Sequence, residues 1–381
     1  MIESRPSLAE VLGGKGSIAL AIKGNGQTSA VAAGAVDALA RAGGLGEIEA
    51  AFGDSGAGYI AAGAGTRQTD TVRKVFERLC HYDVVRRSLG RVARCGVDLA
   101  KANYREEVST YPAMLDLDAL TGALHKIFEL ERLAEEGNMD VVILSTSLDD
   151  FAPQALNLNE YLRGFDEGER RMAALKALHR GGLYPVVAGP PMADPDGRPH
   201  VDGGILADPA MEAVRRGFDN VIYVNNFPSD PGKRWFDSRL QKGVLSWLAR
   251  HSGASTSDIK TAIAQHAAEL NEFNKHLSNG GTVPQKDDKG NVTGRRSNVH
   301  VIRPDAASYP GSAFLSRDPE RLRALSIAGA NAVYAALGMP EMVQSLPAPD
   351  QSRIQTLIDL AGKPFASRHQ TDQLAQPAGT A

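Results

Sequence analysis

The sequence predicts an α/β fold with a mostly parallel central sheet, and two segments near its start carry this prediction. Residues 17–23 form a short apolar run that ends at Gly24, and residues 48–52 form a second run that ends at Gly53. A glycine-rich turn and a helix-like segment of small residues follow each run. Because a repeated strand, turn and helix place successive strands side by side in the same direction, this pattern is typical of a parallel sheet with crossover helices.

Later segments continue the same alternation. Further strands are predicted at residues 139–145, 219–225 and 298–303, where short apolar runs are bounded by polar residues. Helices are predicted near residues 257–277 and 318–337. No internal repeat and no long linker separates these segments, so the chain is expected to form one domain with insertions.

The predicted domain extends over residues 1–363. It contains a helical insertion at about 68–137 and a polar insertion at about 278–297. After Lys363 the sequence is rich in Gln, Ala and Thr. Such a composition offers little apolar surface to bury, so residues 364–381 are expected to form a flexible C-terminal tail.

Composition and charge narrow the classes of function. The 381 residues include 42 Lys and Arg against 45 Asp and Glu, a formal net charge of −3. A dedicated nucleic-acid binder would normally carry a marked basic excess, so no nucleic-acid partner is expected. The two cysteines, Cys80 and Cys95, form no CxxC pair. They predict neither a disulfide framework nor a thiolate metal site, and a reducing compartment is their natural context.

The same sequence features predict a cytoplasmic location. The first residues lack the basic and apolar regions of a signal peptide. No stretch of the sequence reaches the roughly 18 uninterrupted apolar residues that a membrane-spanning helix needs. The sequence does not indicate the oligomeric state.

Ser55 lies in the second glycine-rich turn, which reads Gly-Asp-Ser-Gly-Ala over residues 53–57. This pattern is close to the nucleophile elbow G-x-S-x-G, in which a sharp strand-to-helix turn exposes a serine hydroxyl. Small residues are needed there because the helix passes close to the strand. An ordinary tight turn between a strand and a helix has the same pattern.

The first turn, residues 24–29, offers backbone N–H groups at the start of a helix. Such groups bind an anion, either a phosphate or the oxyanion that develops during acyl transfer. The spacing of Gly24, Gly26 and Ser29 is also close to the dinucleotide-binding fingerprint, with Asp54 as a candidate ribose-binding acid, although the third glycine is absent. A Rossmann-like nucleotide-binding protein that uses this turn is therefore an alternative interpretation.

A third motif, Asp-Gly-Gly, occupies residues 202–204. Asp and Gly both favour loop turns, so a purely structural turn is one explanation. In a catalytic interpretation, the Asp202 carboxylate takes the proton of the Ser55 hydroxyl, because a serine needs a base to become a good nucleophile. His200 and His300 are competing candidates for the base, although histidines at such positions are commonly solvated surface residues.

Taken together, the three motifs resemble those of the patatin-like phospholipase family. Members of that family carry a glycine-rich loop after the first strand, a G-x-S-x-G elbow and a later D-G-G or D-G-A motif, in this order. Residues 22–39, 53–57 and 183–209 match these motifs. The resemblance covers about residues 17–225 and, more faintly, the strand at Asn298 and the last predicted helix.

The resemblance implies a three-layer α/β/α patatin-like fold and a Ser–Asp dyad that needs neither a metal nor a cofactor. It also implies hydrolysis of acyl esters in phospholipids, lysophospholipids or other lipids. Ser55 takes the place of the nucleophile and Asp202 that of the base. The implied oxyanion-hole donors are the backbone N–H groups of Gly24, Asn25, Gly26 and Gly56, with supporting glycines at Gly53, Gly203 and Gly204.

Three residues depart from the family pattern. Thr28 stands where the family loop usually carries Arg or Lys, and Ala57 replaces the last glycine of the elbow. Asp54 places an acid beside the nucleophile, and a negative charge that faces the site would oppose an oxyanion. A catalytically impaired relative with a regulatory role is therefore a second alternative.

Basic residues are clustered between Arg86 and Arg105, where Asp98 is the only acid. Clustered Arg and Lys attract anionic lipid surfaces, which suggests peripheral contact with an anionic membrane. A solvated helix face would show the same pattern. The expected partners are therefore a lipid or acyl-ester substrate and an anionic membrane surface.

Overall fold

Alternating strands and helices form a mixed α/β fold in the computed structural model of this chain. The structure describes residues 7–26, 28–78, 86–87, 115–116, 127–182, 191–194, 196–228, 239–279, 281–286, 290–307, 309 and 318–344. The strands are β1 (Ile18–Ile22), β2 (Ala50–Asp54), β3 (Arg86–Arg87), β4 (Leu115–Asp116), β5 (Asp140–Ser147), β6 (Pro153–Asn157), β7 (Met192–Ala193), β8 (Pro199–Asp202), β9 (Asn220–Val224), β10 (Thr282–Lys286) and β11 (Val292–Ile302). The helices are α1 (Leu8–Leu12), α2 (Ala30–Arg41), α3 (Ala57–Gly65), α4 (Thr69–Arg78), α5 (Leu158–Arg163), α6 (Glu167–Gly181), α7 (Pro209–Arg215), α8 (Arg239–Ser252), α9 (Thr256–Ser278) and α10 (Pro319–Ala336).

Nine of the described strands form one sheet, in the order β10-β11-β9-β1-β2-β5-β8-β7, with β6 also paired to β5. The pairings β1–β2, β1–β9, β9–β11 and β2–β5 are parallel. The pairings of β10 with β11, of β5 with β6 and β8, and of β7 with β8 are antiparallel. The predicted α/β class with a mostly parallel central sheet is confirmed.

Helices cover both faces of this sheet. Successive residues of a strand point to opposite faces, and β1 shows this directly. Ile18, Leu20 and Ile22 belong to an apolar cluster that includes α2, α3, α6 and α10. Ala19 and Ala21 belong to a second cluster, on the other face, that includes α7 and α9. The expected three-layer α/β/α arrangement is therefore confirmed.

Most of the predicted strands and helices are present, and the short strands beside β5 are additional. The predicted strands at 139–145, 219–225 and 298–303 correspond to β5, β9 and the second half of β11. The sequence does not indicate β6 or β8, because β6 has no buried residue and β8 contains only four residues, two of them His and Asp. These strands are defined by pairing with β5 rather than by an apolar pattern of their own.

Several expectations concern residues that lie outside the described part of the chain. They are most of the helical insertion at 68–137, nearly all of the basic stretch between Arg86 and Arg105, and the tail at 364–381. The segment 278–297, by contrast, contains the end of α9, strand β10 and the first half of β11. Within the described ranges, no helix combines the length and the apolar composition that crossing a membrane requires.

Glycines allow α2 and α10 to cross at very short range. A Cβ atom added at Gly34 of α2 would lie 1.9 Å from the carbonyl oxygen of Ser326 in α10. In the same way, a Cβ atom at Gly329 of α10 would lie 1.9 Å from the carbonyl oxygen of Val31. The two helix backbones therefore touch directly, and the contact joins the N-terminal and C-terminal parts of the sequence.

We predict that Gly34→Ala lowers the free energy of unfolding by about 1–3 kcal/mol or more, since the added methyl group forces the two backbones apart. The loss is expected although alanine is the better helix former by about 1 kcal/mol. Urea unfolding followed by circular dichroism measures the change. Gly46→Ala is the control, because a Cβ atom at Gly46 meets nothing within 4 Å. Equal stability of the Gly34→Ala variant and the wild type would contradict the close contact.

Candidate active site

Ser55 occupies a strained turn between β2 and α3. Its φ angle is 51°, in the left-handed region that residues other than glycine rarely adopt. The turn is tight, because a Cβ atom added at Gly53 would lie 2.5 Å from the carbonyl oxygen of Ala57. Ser55 itself is half-buried. Strain of this kind in a partly exposed serine is typical of a nucleophile elbow and of functional turns generally.

The loop after β1 packs directly against this turn. A Cβ atom added at Gly24 would lie 2.7 Å from the Cβ atom of Ser55 and 2.3 Å from the carbonyl oxygen of Asp54. Since β1 and β2 are parallel neighbours, their carboxyl ends lie at the same edge of the sheet. Ligands of open α/β sheets bind at this edge. The glycine at position 24 therefore lets two loops approach each other closely at the edge where a ligand would bind.

Strand β5 brings Asp202 to the same place. Its residue Leu144 pairs with Asp54 of β2, and the next residue, Ser145, pairs with Asp202 of β8. The chain turns sharply after Asp202, where a Cβ atom at Gly203 would lie 2.5 Å from the carbonyl oxygen of Leu144. The register of β5 thus places the end of β8 beside the end of β2.

The Asp202 carboxylate is buried and faces the Ser55 hydroxyl. Its Oδ1 atom accepts a hydrogen bond of 2.8 Å from the backbone N–H of Gly204. Its Oδ2 atom is buried and has no hydrogen bond of ordinary length and angle from a described residue. A hydrogen-bonding interaction with the Ser55 side chain stabilises the carboxylate form and opposes the rise of the Asp202 pKa. The structure therefore brings Ser55 and Asp202 together, and such contacts are often loose before substrate binds.

Burial raises the pKa of Asp202 to about 7, and the negative charge of Asp54 contributes to the rise. Ser55, the Gly204 N–H and Lys23 oppose the rise. A carboxyl group usually titrates near 3.9. A base that changes its charge near neutral pH is a common property of functional sites.

Lys23 and two aspartates form an ionic cluster behind Ser55. The Nζ atom of Lys23 lies 2.9 Å from Oδ2 of Asp54 and 3.4 Å from Oδ2 of Asp208. It also donates to the carbonyl oxygen of Ala207 at 3.4 Å. Asp208 is held in turn by the Tyr223 hydroxyl, which donates to its Oδ2 at 3.1 Å. The carboxylate of Asp54, the acid beside Ser55, thus points toward an ammonium group.

The pKa values within this cluster reflect burial and pairing. Burial alone would lower the pKa of Lys23, but the carboxylates of Asp54 and Asp208 outweigh it and raise that pKa above its ordinary value. Burial raises the pKa of Asp54, whereas Lys23 and the Gly24 N–H oppose this rise. An ammonium at ion-pair distance and a donated N–H both favour the charged carboxylate.

The four candidate oxyanion donors differ in what their N–H groups do. The N–H of Gly24 donates to Oδ1 of Asp54 at 2.5 Å, and the N–H of Asn25 donates to the Ser29 hydroxyl at 2.8 Å. Among the hydrogen bonds between described residues, none uses the N–H of Gly26 or Gly56. Gly56 directly precedes α3, where the positive end of the helix dipole lies. Of the four candidate donors, these two therefore have no acceptor among the described residues.

Neither His200 nor His300 is placed to act as the base for Ser55, since His200 binds other side chains and His300 lies on a distant strand. The Nδ1 atom of His200 lies 3.1 Å from the Ser145 hydroxyl, and its Nε2 atom lies 3.2 Å from Oδ2 of Asp194. His300 is in β11, which is separated from β2 by β9 and β1. Their exposed fractions are only 4% and 7%, so the expectation that they are solvated surface residues is wrong. Both are enclosed in the sheet layers instead.

Three residues near the site change how its motifs are interpreted. Asp54 is 0% exposed and engaged by Lys23 and Gly24, so its carboxylate is not open to a ribose. Thr28, which stands where the resembled family has a cation, is also buried. The motifs do not indicate Lys23, although a lysine directly after an apolar strand is visible in the sequence. Within the described ranges, no group of three or more His, Cys, Asp or Glu residues is placed to hold a metal.

We predict that Asp202→Asn raises the melting temperature at pH 8, and that this gain disappears toward pH 4. The pKa of Asp202 is about 7 in the folded chain and about 3.9 in an unfolded one. Since the folded state holds its proton more tightly, the stability that this group contributes is complete below pH 4 and is lost as the pH rises through 7. The neutral amide avoids this loss, which is at most about 4 kcal/mol.

Differential scanning fluorimetry between pH 4 and 8 measures the difference between variant and wild type. The matched control is Asp140→Asn, at the first residue of β5 and so at the opposite end of the sheet. A difference for Asp202→Asn that does not depend on pH would show that this carboxyl titrates normally.

Comparisons with known proteins give little further information. No family model matches the sequence, and no curated protein matches it. Among solved structures, VipD from Legionella pneumophila is similar to this chain with a TM-score of 0.39 and 12% sequence identity. The similarity covers 85% of this chain and 67% of that one. A similarity of this size carries no functional argument, so a function can be inferred only from the site and its motifs.

Proposed function

We propose that this chain is a serine acyl hydrolase of the patatin type, which uses Ser55 as nucleophile and Asp202 as general base. The single observation that carries the proposal is the strained, half-buried Ser55 turned toward a buried carboxyl group. A serine becomes a good nucleophile when an adjacent base takes its proton, and a base is most effective when its pKa lies near the operating pH. The order of the three sequence motifs supports the same proposal.

The proposed reaction has two halves. In the first, Oγ of Ser55 attacks the carbonyl carbon of an acyl ester while Asp202 takes the hydroxyl proton. The alcohol then leaves with that proton, and the acyl group remains on Ser55. In the second half, Asp202 takes a proton from a water molecule as its oxygen attacks the acyl carbon. The ester bond to Oγ of Ser55 then breaks, the carboxylic acid leaves, and Asp202 returns the proton to Oγ of Ser55. One carboxyl group thus serves as base and as acid in turn.

The proposed oxyanion hole uses the N–H groups of Gly26 and Gly56. Neither N–H group has an acceptor among the described residues, and Gly56 adds the positive end of the α3 dipole. Each preorganised donor of this kind contributes about 3 kcal/mol to transition-state stabilisation. Gly24 and Asn25 have the role of shaping the loop in this proposal, since Asp54 and Ser29 already accept from their N–H groups.

The proposed substrates are acyl esters of phospholipids, lysophospholipids or other lipids. The resemblance of the motifs to patatin-like phospholipases supports this class. The alternative of a nucleotide-binding protein is disfavoured by the engagement of the Asp54 carboxylate with Lys23 and Gly24. No specific observation on the described residues favours a purely regulatory role.

We predict that Ser55→Ala and Asp202→Asn each reduce hydrolysis of a nitrophenyl ester by at least about 10³-fold, because each removes a group that takes part directly in proton transfer or bond formation. Circular dichroism is expected to show an unchanged fold. Ser257→Ala, on the exposed surface of α9, is the matched control and should keep full activity.

A fluorophosphonate probe tests the nucleophile directly. Mass spectrometry is expected to find the label on Ser55 and no label on the Ser55→Ala variant. Turnover close to that of the wild type in Ser55→Ala or Asp202→Asn would contradict the assignment of these residues as nucleophile and base. Absence of labelling together with a thermal shift caused by NAD(P) would favour the nucleotide-binding alternative instead.

We predict that kcat/KM for a soluble ester increases with pH along a limb whose apparent pKa is near 7. The reason is that Asp202 acts as a base only in its deprotonated form, and its pKa is about 7. Chromatographic measurement of the released carboxylic acid avoids interference from titration of nitrophenol. A flat profile between pH 5 and 8 would mean that Asp202 is not the base or that its surroundings do not raise its pKa.

A further inference from the structure

The two carboxylate oxygens of Asp54 bind two different groups beside Ser55. Oδ1 accepts the Gly24 N–H at 2.5 Å, and Oδ2 pairs with the Lys23 ammonium at 2.9 Å. The first bond keeps the Gly24 backbone against Ser55, so closely that a Cβ atom on Gly24 would lie 2.7 Å from that of Ser55. Asp54 therefore joins the loop after β1 to the elbow after β2.

Asp54 is also a charged neighbour of Asp202. A Cβ atom added at Gly204 would lie 3.1 Å from Oδ1 of Asp202 and 3.2 Å from Oδ2 of Asp54. The two carboxylates thus flank one glycine, and their exposed fractions are 1% and 0%. Two like charges at short range in a site with little water interact strongly. The state of one carboxylate therefore affects the other.

Lys23 is the cation that offsets this repulsion. Besides Asp54, it pairs with Asp208 at 3.4 Å. His266 faces the same cluster from α9, and burial together with the Lys23 charge lowers its pKa to about 4, so its ring is neutral at neutral pH. The Tyr223 hydroxyl donates a hydrogen bond to Asp208. The ionic cluster behind Ser55 therefore combines one lysine with two aspartates.

The ionisable groups on the other side of Asp202 lie on β8 and in the turn between β7 and β8. His200 precedes Asp202 by two residues, and it interacts with Ser145 and Asp194 rather than with Asp202. Asp194 is in turn paired with Arg198 at 3.1 Å. The balance of charge around Asp202 thus depends chiefly on Asp54 and Lys23, the two ionised groups that interact with it.

We propose that Asp54 and Lys23 are positioning residues of the dyad: Asp54 holds Gly24 against Ser55, and the two opposite charges together set how readily Asp202 gives up its proton. This inference rests on the proposed function of the Ser55–Asp202 dyad and extends it to two residues that do not touch the reacting atoms. It also accounts for an acid beside the nucleophile, because the charge of that acid is directed to Lys23.

The test compares the acidic limb of kcat/KM for a soluble ester in charge-changing variants. Asp54→Asn keeps an oxygen for the Gly24 N–H but removes the negative charge, so the limb is expected to move to lower pH by about one unit. Lys23→Met removes the opposing charge, so the limb is expected to move to higher pH. Lys23→Arg should leave the limb close to that of the wild type.

Matched controls separate these shifts from general effects of charge. Asp140→Asn is at the opposite end of the sheet, and Lys260→Met is on the exposed face of α9. Neither should move the limb. If Lys23→Met does not fold, because it leaves Asp54 buried without its cation, the double variant Lys23→Met/Asp54→Asn removes both charges. Its limb is expected to lie between those of the two single changes.

A second measurement needs no enzymatic activity. The gain in melting temperature from Asp202→Asn begins near the pKa of the unfolded chain and levels off near the pKa of Asp202 in the folded chain, so the pH at which the gain levels off reports the proton affinity of Asp202. In the Asp54→Asn background this plateau is expected at lower pH, and in the Lys23→Arg background it should be unchanged. Shifts of the plateau without ester hydrolysis or fluorophosphonate labelling of the wild type would uphold the electrostatic coupling but reject the proposed function. A plateau and a limb that stay in place in every variant would overturn the inference.

Discussion

The register of β5 is the constraint on which the candidate site depends. Its consecutive residues Leu144 and Ser145 pair with Asp54 and Asp202, which belong to distant parts of the sequence. Because one strand pairs with both, the ends of β2 and β8 are held at the same level of the sheet. A shift of one residue in either pairing would turn the side chains to the opposite face and take the carboxyl group away from Ser55.

Close backbone contacts, in addition to the register of β5, bring the three loops of the candidate site together. Gly24, Gly53 and Gly203 each occupy a point where a Cβ atom would collide with main-chain atoms. They let the loop after β1, the elbow and the turn after β8 converge with little side-chain volume between them. The convergence also excludes water from the carboxyl groups, and this dehydration is the main reason that Asp202 holds its proton up to about pH 7.

Much of the fold is visible in the sequence, but the arrangement of charges is not. The apolar runs that become β1, β2, β5 and β9 are continuous because these strands are buried on both faces, and such runs are easy to detect. Ser55 and Asp202 stand in motifs whose glycines are required by close approach. The partners of Lys23 come from β2 and from the N-terminus of α7, and no local pattern indicates which of several acids a lysine meets. The engagement of the Gly24 and Asn25 N–H groups is equally a property of three-dimensional contact.

The position of β1 has a consequence for how this protein is made. Strand β1 lies between β2, which follows it closely, and β9, where Ile18 pairs with Asn220. On the ribosome, β1 and β2 therefore emerge long before the partner of the outer edge of β1 has been synthesised. Until then, that edge presents unpaired N–H and C=O groups and apolar side chains, which are a template for association with other chains. The nascent polypeptide therefore carries this unpaired edge until the segment that contains β9 has been translated.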